Sequence, residues 1–116
     1  MNIEEVREYA LTLPHTTEDM PYGPDCVVFR IAGKIFLHIA LESSPARIAI
    51  KLRPEFGESL REQYEFVRPA FHMNKVHWND VFVENTVDDA FIKEWIRQSY
   101  DIVYSKLPRR TKEQLT

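Results

Sequence analysis

Apolar residues recur every three or four positions in three segments of the chain, which is the spacing of one face of a helix. The pattern predicts helices over residues 2–13, 54–65 and 87–107. Pro14 and Pro108 follow the first and third segments, and Pro54 begins the second, where its missing N–H costs nothing. The chain therefore contains three amphipathic helices at its start, middle and end.

Five short segments between these helices alternate apolar and polar residues or are rich in β-branched residues, which favours strands. They are Cys26 to Ile31, Lys34 to Leu41, Ala46 to Leu52, Ala70 to Met73 and Asn79 to Val83. Short connections between the first three indicate an antiparallel meander. The predicted order is α-β-β-β-α-β-β-α, an α+β fold with a five-stranded antiparallel sheet. Residues 14–25 are predicted to form an irregular connection, and residues 109–116 a frayed polar tail.

Side chains alternate between the two faces of a strand, so position parity sorts the residues of the first three strands. One set is wholly apolar and is expected to meet the helices: Val27, Phe29, Ile31, Ile35, Leu37, Ile39, Leu41, Ile48, Ile50 and Leu52. The other set contains Arg30, Lys34, Phe36, His38, Arg47, Lys51 and Arg53. Parity thus predicts a sheet that is apolar beneath the helices and cationic on its opposite face.

Two interpretations of this cationic face remain open. Antiparallel sheets covered by helices on one side commonly have a solvated polar face on the other. Alternatively, cations beside an aromatic ring can follow a phosphate backbone and stack on a base. The protein carries a net charge of −3, but residues 26–53 hold five basic residues and one acidic residue. The charge is therefore distributed in a way that permits a local basic patch.

Length and composition exclude several classes of protein. A chain of 116 residues with 44% hydrophobic and 28% charged residues suits one folded domain, placed at residues 1–108. Its apolar runs are far too short to cross a bilayer, so no membrane partner is expected. The acidic N-terminus lacks a signal sequence, and Cys26 is the single cysteine. We therefore expect a cytoplasmic protein.

Residues able to support catalysis or metal binding do not form a recognisable motif. His72 and His77 are five positions apart, a spacing unsuited to one helix face or to one side of a strand. Cys26 is interpreted as a small buried hydrophobe, and an enzyme would require a pocket that gathers Cys26, a histidine and a carboxylate. We predict no catalytic residues, no metal site and no cofactor.

The segment His72-Met73-Asn74-Lys75-Val76-His77-Trp78-Asn79 is dense in side chains that can hydrogen bond or stack. It is interpreted mainly as a turn, with Asn74 at its centre and Trp78 covering the core. The functional alternative makes Lys75, His77 and Trp78 contacts for a ligand or nucleic acid.

These residues, together with several others, resemble the MmcQ/YjbR family of small bacterial proteins over nearly the whole chain. The resemblance is carried by residues 21–24 (PYGP), 28–30 (VFR), 33–34 (GK), 60–64 (LREQY), 72–75 (HMNK), 77–78 (HW) and 99–100 (SY). It implies a two-layer α/β sandwich, similar to type III secretion chaperones, with helices on one face of the sheet. Members are usually described as DNA-binding with a "double wing" arrangement.

The sequence as a whole predicts a non-enzymatic protein that binds DNA weakly through phosphates, with steep salt dependence and little sequence specificity. The predicted contacts are Arg30, Lys34, Phe36, His38, Arg47, Lys51, Lys75, His77 and Trp78. The alternative is an interaction module that receives a protein segment or a small anion. Its site would be the uncovered sheet face, or the loop of residues 14–25 with the His72 to Trp78 turn, and a homodimer that buries the Arg47 and Lys51 face would favour this class.

Overall fold

The computed structural model describes residues 1–70 and 73–116. Over these residues the chain forms four helices and six strands. In chain order they are α1 (Ile3–Thr12), β1 (Thr16–Asp19), β2 (Cys26–Ile31), β3 (Lys34–Ala40), β4 (Arg47–Lys51), α2 (Pro54–Gln63), β5 (Val67–Pro69), β6 (Trp78–Phe82), α3 (Asp89–Ser105) and α4 (Arg109–Leu115).

The described strands form one open antiparallel sheet in the order β1-β2-β3-β4-β6-β5. It has six strands, so the prediction of five is wrong. The additional strand, β1, lies within the segment predicted to be irregular, and it pairs with β2 from Thr16 opposite Ile31 to Asp19 opposite Val28. Its polar sequence carries no alternation, and its backbone pairing with the edge of β2 defines it as a strand.

Local sequence explains how α1 and α2 begin. Asn2 caps α1, and its side chain and that of Glu5 each accept the other's backbone N–H in a capping box. Pro54 occupies the first turn of α2. Gly57 is required within that helix because a Cβ atom there would lie 2.9 Å from the amide nitrogen of the buried Asn79.

The hydrophobic core lies between the sheet and helices α1 and α3. Helix α3 packs across β2, β3 and β4, and α1 contacts β1 and α3. The fully buried Ile92 and Ile96 of α3 belong to the same core cluster as Leu37, Ile39 and Ile50 of the strands. The apolar parity set is therefore correct for the centre of the strands, whereas Leu41 at the end of its segment is 37% exposed.

The segment predicted as a frayed tail forms the short helix α4. Lys112 of α4 donates a 2.9 Å hydrogen bond to the Ser105 carbonyl and lies 5.5 Å from the centre of the Tyr104 ring. Leu115 packs against the core. These contacts to α3 explain a helix whose own sequence is polar.

The fourth strand was predicted over Ala70 to Met73, whereas β5 spans Val67–Pro69 and pairs with β6. Residues 71 and 72, in the middle of the predicted strand, lie outside the described residues. His72, which was considered with His77 as a possible metal ligand, therefore also lies outside the described residues.

Candidate functional site

A β-bulge in β3 moves Phe36 from the uncovered face into the core. Phe29 pairs with Leu37, but Arg30 pairs with Ile35, so Phe36 is an extra residue that breaks the alternation. Its ring is fully buried and lies edge-on to Tyr100 of α3, with 5.2 Å between ring centroids. The prediction that Phe36 stacks on a ligand is therefore wrong.

Ser99 of α3 satisfies the backbone groups that the bulge leaves unpaired. Its buried hydroxyl donates to the Phe36 carbonyl at 2.6 Å and accepts from the Lys51 N–H at 2.8 Å. One side chain thus links α3 to the beginning of β3 and to the end of β4.

Two of the predicted cationic contacts lie beside carboxylates. Arg30 donates to Asp19 at 2.8 Å and to the Gly33 carbonyl at 3.0 Å. Arg47 lies 3.9 Å from Asp80. The expected cationic platform across the sheet is wrong, because β1 and β6 supply acidic side chains to the same face.

Lys34 and Lys51 instead lie near the C-terminal end of α3, together with Lys106. The three lysines line a cavity of about 250 Å³ with Ile35, Val103 and Leu107. Burial lowers the pKa of Lys51, and the adjacent Lys106 ammonium lowers it further. No carboxylate is found among the described residues that line this cavity. We refer to Lys34, Lys51 and Lys106 as the lysine cluster.

His38 lies on the uncovered face, half-buried between two aromatic side chains. Its ring is parallel to that of Tyr22, with 6.3 Å between centroids, and is edge-on to Trp78 at 5.2 Å. Burial lowers the pKa of His38 to about 4, and Arg30 contributes to this shift. His38 is therefore neutral at pH 7 and adds no cation to this face.

The turn before β6 has the structural role expected of Asn74. Its side chain accepts the Val76 N–H at 2.9 Å, and its carbonyl accepts the Trp78 N–H at 2.8 Å. Lys75 is exposed in this turn, and the carbonyl of the half-buried His77 accepts the Leu52 N–H at 2.8 Å. A ligand-binding role for the Lys75, His77 and Trp78 side chains stays a prediction.

Sequence reasoning missed a cavity on the uncovered face, which we call the face cavity. It measures about 290 Å³ and is lined by Cys26, His38, Asp80 and Arg47, together with Asp25, Ala40, Ile48, Ala49, Ala70 and Met73. The strand pairing would have placed Cys26 and His38 near each other, because Cys26 is opposite Ala40 and Val28 is opposite His38. Asp80, Ala70 and Met73 come from segments distant in sequence, which parity within one hairpin does not reveal.

The face cavity brings together a cysteine, a histidine and a carboxylate, but in protonation states that do not activate a nucleophile. The Cys26 sulfur and His38 Nδ1 are 3.9 Å apart. Burial raises the pKa of the thiol and lowers that of His38 to about 4, so the imidazole is a weak base and both shifts oppose transfer of the thiol proton to it. A module that receives a protein segment or small anion here, or dimerises through this face, stays an alternative prediction.

His38 also makes the stability of the protein dependent on pH. The unfolded chain takes up the imidazole proton near pH 6.5, whereas the folded protein does so only near pH 4. Stability from the neutral imidazole is thus complete above pH 6.5 and is lost as the pH falls toward 4. Allowing for the side chain's partial exposure, we expect a loss of about 2 kcal/mol.

Urea unfolding at pH 7 and pH 4.5 measures this loss. His38→Gln is expected to lose about 2 kcal/mol less than the wild-type protein over that interval. His15→Gln, at an exposed histidine, is the control and is expected to keep the wild-type difference. Equal losses for His38→Gln and wild type would contradict a neutral His38 in the folded protein.

In the described part of the chain, no three His, Cys, Asp or Glu side chains are grouped so that they could hold a metal ion. Nor does any helix in that part have the length and apolar character needed to span a membrane.

The open antiparallel sheet, the helices packed on it and the two cavities define an α+β domain with candidate binding sites at the end of α3 and on the uncovered sheet face. The YjbR family model matches residues 11–102. The chain therefore belongs to the YjbR family, as its sequence motifs predicted.

Relatives and solved structures agree with this assignment. The uncharacterized protein YbdF of Escherichia coli O157:H7 is 30% identical over 112 residues, covering 97% of this chain and 92% of its own. The uncharacterized protein YjbR of Escherichia coli strain K12 is 28% identical over 116 residues, covering 99% of this chain and 98% of its own.

Two crystal structures share the fold. Protein DR2400 of Deinococcus radiodurans, with the family-model domain DUF419, superimposes with a TM-score of 0.92 at 28% identity, covering 98% of this chain and 87% of that one. A Pseudomonas syringae protein, target PsR293, has a TM-score of 0.77 at 27% identity, covering 89% of this chain and 99% of that one.

Proposed function

We propose that this protein is a non-enzymatic domain that binds nucleic acid weakly through its phosphates, and that the lysine cluster makes the contacts. The observation that carries the proposal is the convergence of Lys34, Lys51 and Lys106 on one cavity with no carboxylate among its described lining residues. The proposed site keeps two of the DNA contacts predicted from the sequence, Lys34 and Lys51. Lys106, from the last turn before α4, replaces the arginines that are paired with acids.

The energetics of Lys51 favour an anion at this position. Its ammonium group is partly buried beside a second ammonium, and both effects lower its pKa. A phosphate between the two lysines would replace their repulsion with two attractive charge-assisted contacts. A cavity of about 250 Å³ is small for a drug-sized ligand and suits a single phosphate group better.

The acidic balance of the protein limits the affinity without removing the local attraction. Charges more than about 8 Å away are largely screened at physiological salt, so the distant acidic helix surfaces act mainly on long-range steering. Phosphate contacts carry no sequence information. We therefore expect dissociation constants on the order of 10⁻⁴ to 10⁻⁶ M and little discrimination between sequences.

Fluorescence anisotropy with labelled 20-nucleotide single-stranded and double-stranded DNA tests the proposal. Three phosphate contacts on duplex DNA predict that affinity falls about 40-fold between 50 and 200 mM salt. The double variant Lys51→Gln/Lys106→Gln keeps one of the three contacts. Its affinity is therefore expected to fall only about fourfold over the same salt interval.

Lys93 lies beside the Tyr9 ring. Lys93→Gln is the control, because it removes one positive charge outside the lysine cluster. It is expected to retain wild-type affinity and salt dependence. Absence of binding by the wild-type protein at 50 mM salt, or equal weakening by Lys93→Gln and the double variant, would refute the proposal.

A further inference from the structure

We propose that the face cavity binds a monovalent soft metal ion, Cu(I), through the Cys26 sulfur, the His38 Nδ1 atom and the Met73 thioether. This site is independent of the lysine cluster and of nucleic-acid binding. The three donors come from β2, from β3 and from the segment that precedes the Asn74 turn, and all three residues line the same cavity.

The spacing of the first two donors suits a shared ion. Cys26 Sγ and His38 Nδ1 are 3.9 Å apart. Metal–sulfur and metal–nitrogen bonds of about 2.3 and 2.0 Å place these donors about 3.5 Å apart around a tetrahedral ion and about 4.3 Å apart around a linear one. The observed separation lies between these values, so an ion can be bound without movement of either strand.

The chemistry of the donors selects the ion. Thiolate and thioether ligands favour Cu(I), and Cu(I) is satisfied by two or three ligands. A structural Zn(II) site normally has four ligands, usually Cys, His or acidic side chains. The described residues contain no group of three such side chains suitably placed. Met73 therefore distinguishes a soft-ion site from a zinc site.

The surroundings of the donors also suit this ion. Ala40, Ala49 and Ala70 give the cavity apolar walls, and Tyr22 and Trp78 flank the His38 ring. His38 Nδ1 faces the Cys26 sulfur, so its lone pair can bind an ion between them in the tautomer that carries the proton on Nε2. On binding, the Cys26 thiol loses its proton to solvent and its sulfur forms the bond to Cu(I), with no change in oxidation state. Arg47 also lines the cavity and places a positive charge near the resulting thiolate.

Anaerobic titration of the full chain with Cu(I), in competition with a chromophoric Cu(I) chelator, tests the site. One ion per chain is expected. Cys26→Ser is expected to weaken binding about 100-fold or more, and His38→Gln and Met73→Leu about tenfold or more each. Met20→Leu is the matched control, since Met20 is 45% exposed and does not line the cavity, and it is expected to bind as wild type.

X-ray absorption of the Cu(I)-loaded protein gives a second readout that does not depend on variants. A nitrogen ligand with two sulfur ligands is expected. Wild-type affinity in both His38→Gln and Met73→Leu, or a spectrum with a single sulfur and no nitrogen, would reduce the site to an isolated thiol and overturn the proposal. Failure of the chain to compete for Cu(I) would also overturn it.

Discussion

Phe36→Ala is expected to lower the free energy of unfolding by about 3–5 kcal/mol, the usual cost of removing a fully buried phenylalanine ring. Phe36 has no exposed surface, and its ring contacts Tyr100 edge-on in the core. The substitution removes this apolar burial and leaves a cavity between β3 and α3. Urea denaturation followed by circular dichroism measures the change.

Phe91→Ala is the matched control, because Phe91 of α3 is 51% exposed. Truncation of this exposed ring is expected to cost less than about 1.5 kcal/mol, since much of its surface is already in water. If Phe36→Ala lowered the free energy of unfolding no more than Phe91→Ala does, Phe36 would lie on the surface, as simple strand parity predicts. The assignment of a bulge at Phe36 would then be wrong.

Ser99→Ala is expected to destabilise the protein by about 2–4 kcal/mol, although the side chain is small. The hydroxyl is fully buried and bonds both the Phe36 carbonyl and the Lys51 N–H. Its removal leaves two backbone groups at the bulge without this partner, and an unsatisfied buried polar group costs about 1–3 kcal/mol. Thermal and urea unfolding measure the loss.

Ser105→Ala serves as the comparison on the same helix. The Ser105 hydroxyl donates to the Ile102 carbonyl one turn earlier and is exposed to solvent. Its loss is expected to change stability by no more than about 0.5 kcal/mol. Similar small effects in both variants would show that the contacts of Ser99 with β3 and β4 add little to the free energy of unfolding.

The bulge connects the stability of the fold to the proposed phosphate site. Ser99 holds the end of β4 against α3, and this places Lys51 beside Lys106 at the last turn of the same helix. Without the bulge, alternation would keep Lys34 on the uncovered face with Arg30, whereas β4 has no bulge and Lys51 reaches α3 from the end of its strand. The lysine cluster is therefore a consequence of packing between the sheet and α3.

Local sequence patterns are sufficient to predict the main helices and most of the strands. The apolar repeat of α1, Pro54 at the start of α2 and Pro108 after α3 each act within a few residues, so they are visible in the sequence. The hairpin between β2 and β3 was equally clear. Its turn at Ala32 and Gly33 has positive φ at both positions, 49° and 80°, as a two-residue hairpin turn requires.

The incorrect predictions concern features that depend on distant residues. Strand β1 is polar and is defined by pairing with β2, and α4 is supported by contacts of Lys112 and Leu115 with other parts of the fold. The prediction of a cationic face is wrong for the same reason. Asp19 and Asp80 reach it from strands that the parity of the meander does not include.

By itself, the sequence determined the family, the α+β class, the antiparallel meander and the three long amphipathic helices, because periodicity, prolines and turn residues act over short distances. Only the tertiary structure decided the side on which Phe36 lies, the grouping of Lys34 and Lys51 with Lys106, and the meeting of Cys26 with His38 and Met73. A bulge changes the facing of a strand whenever packing against another element stabilises it, and neither the bulge nor its packing partner appears in an alternating pattern.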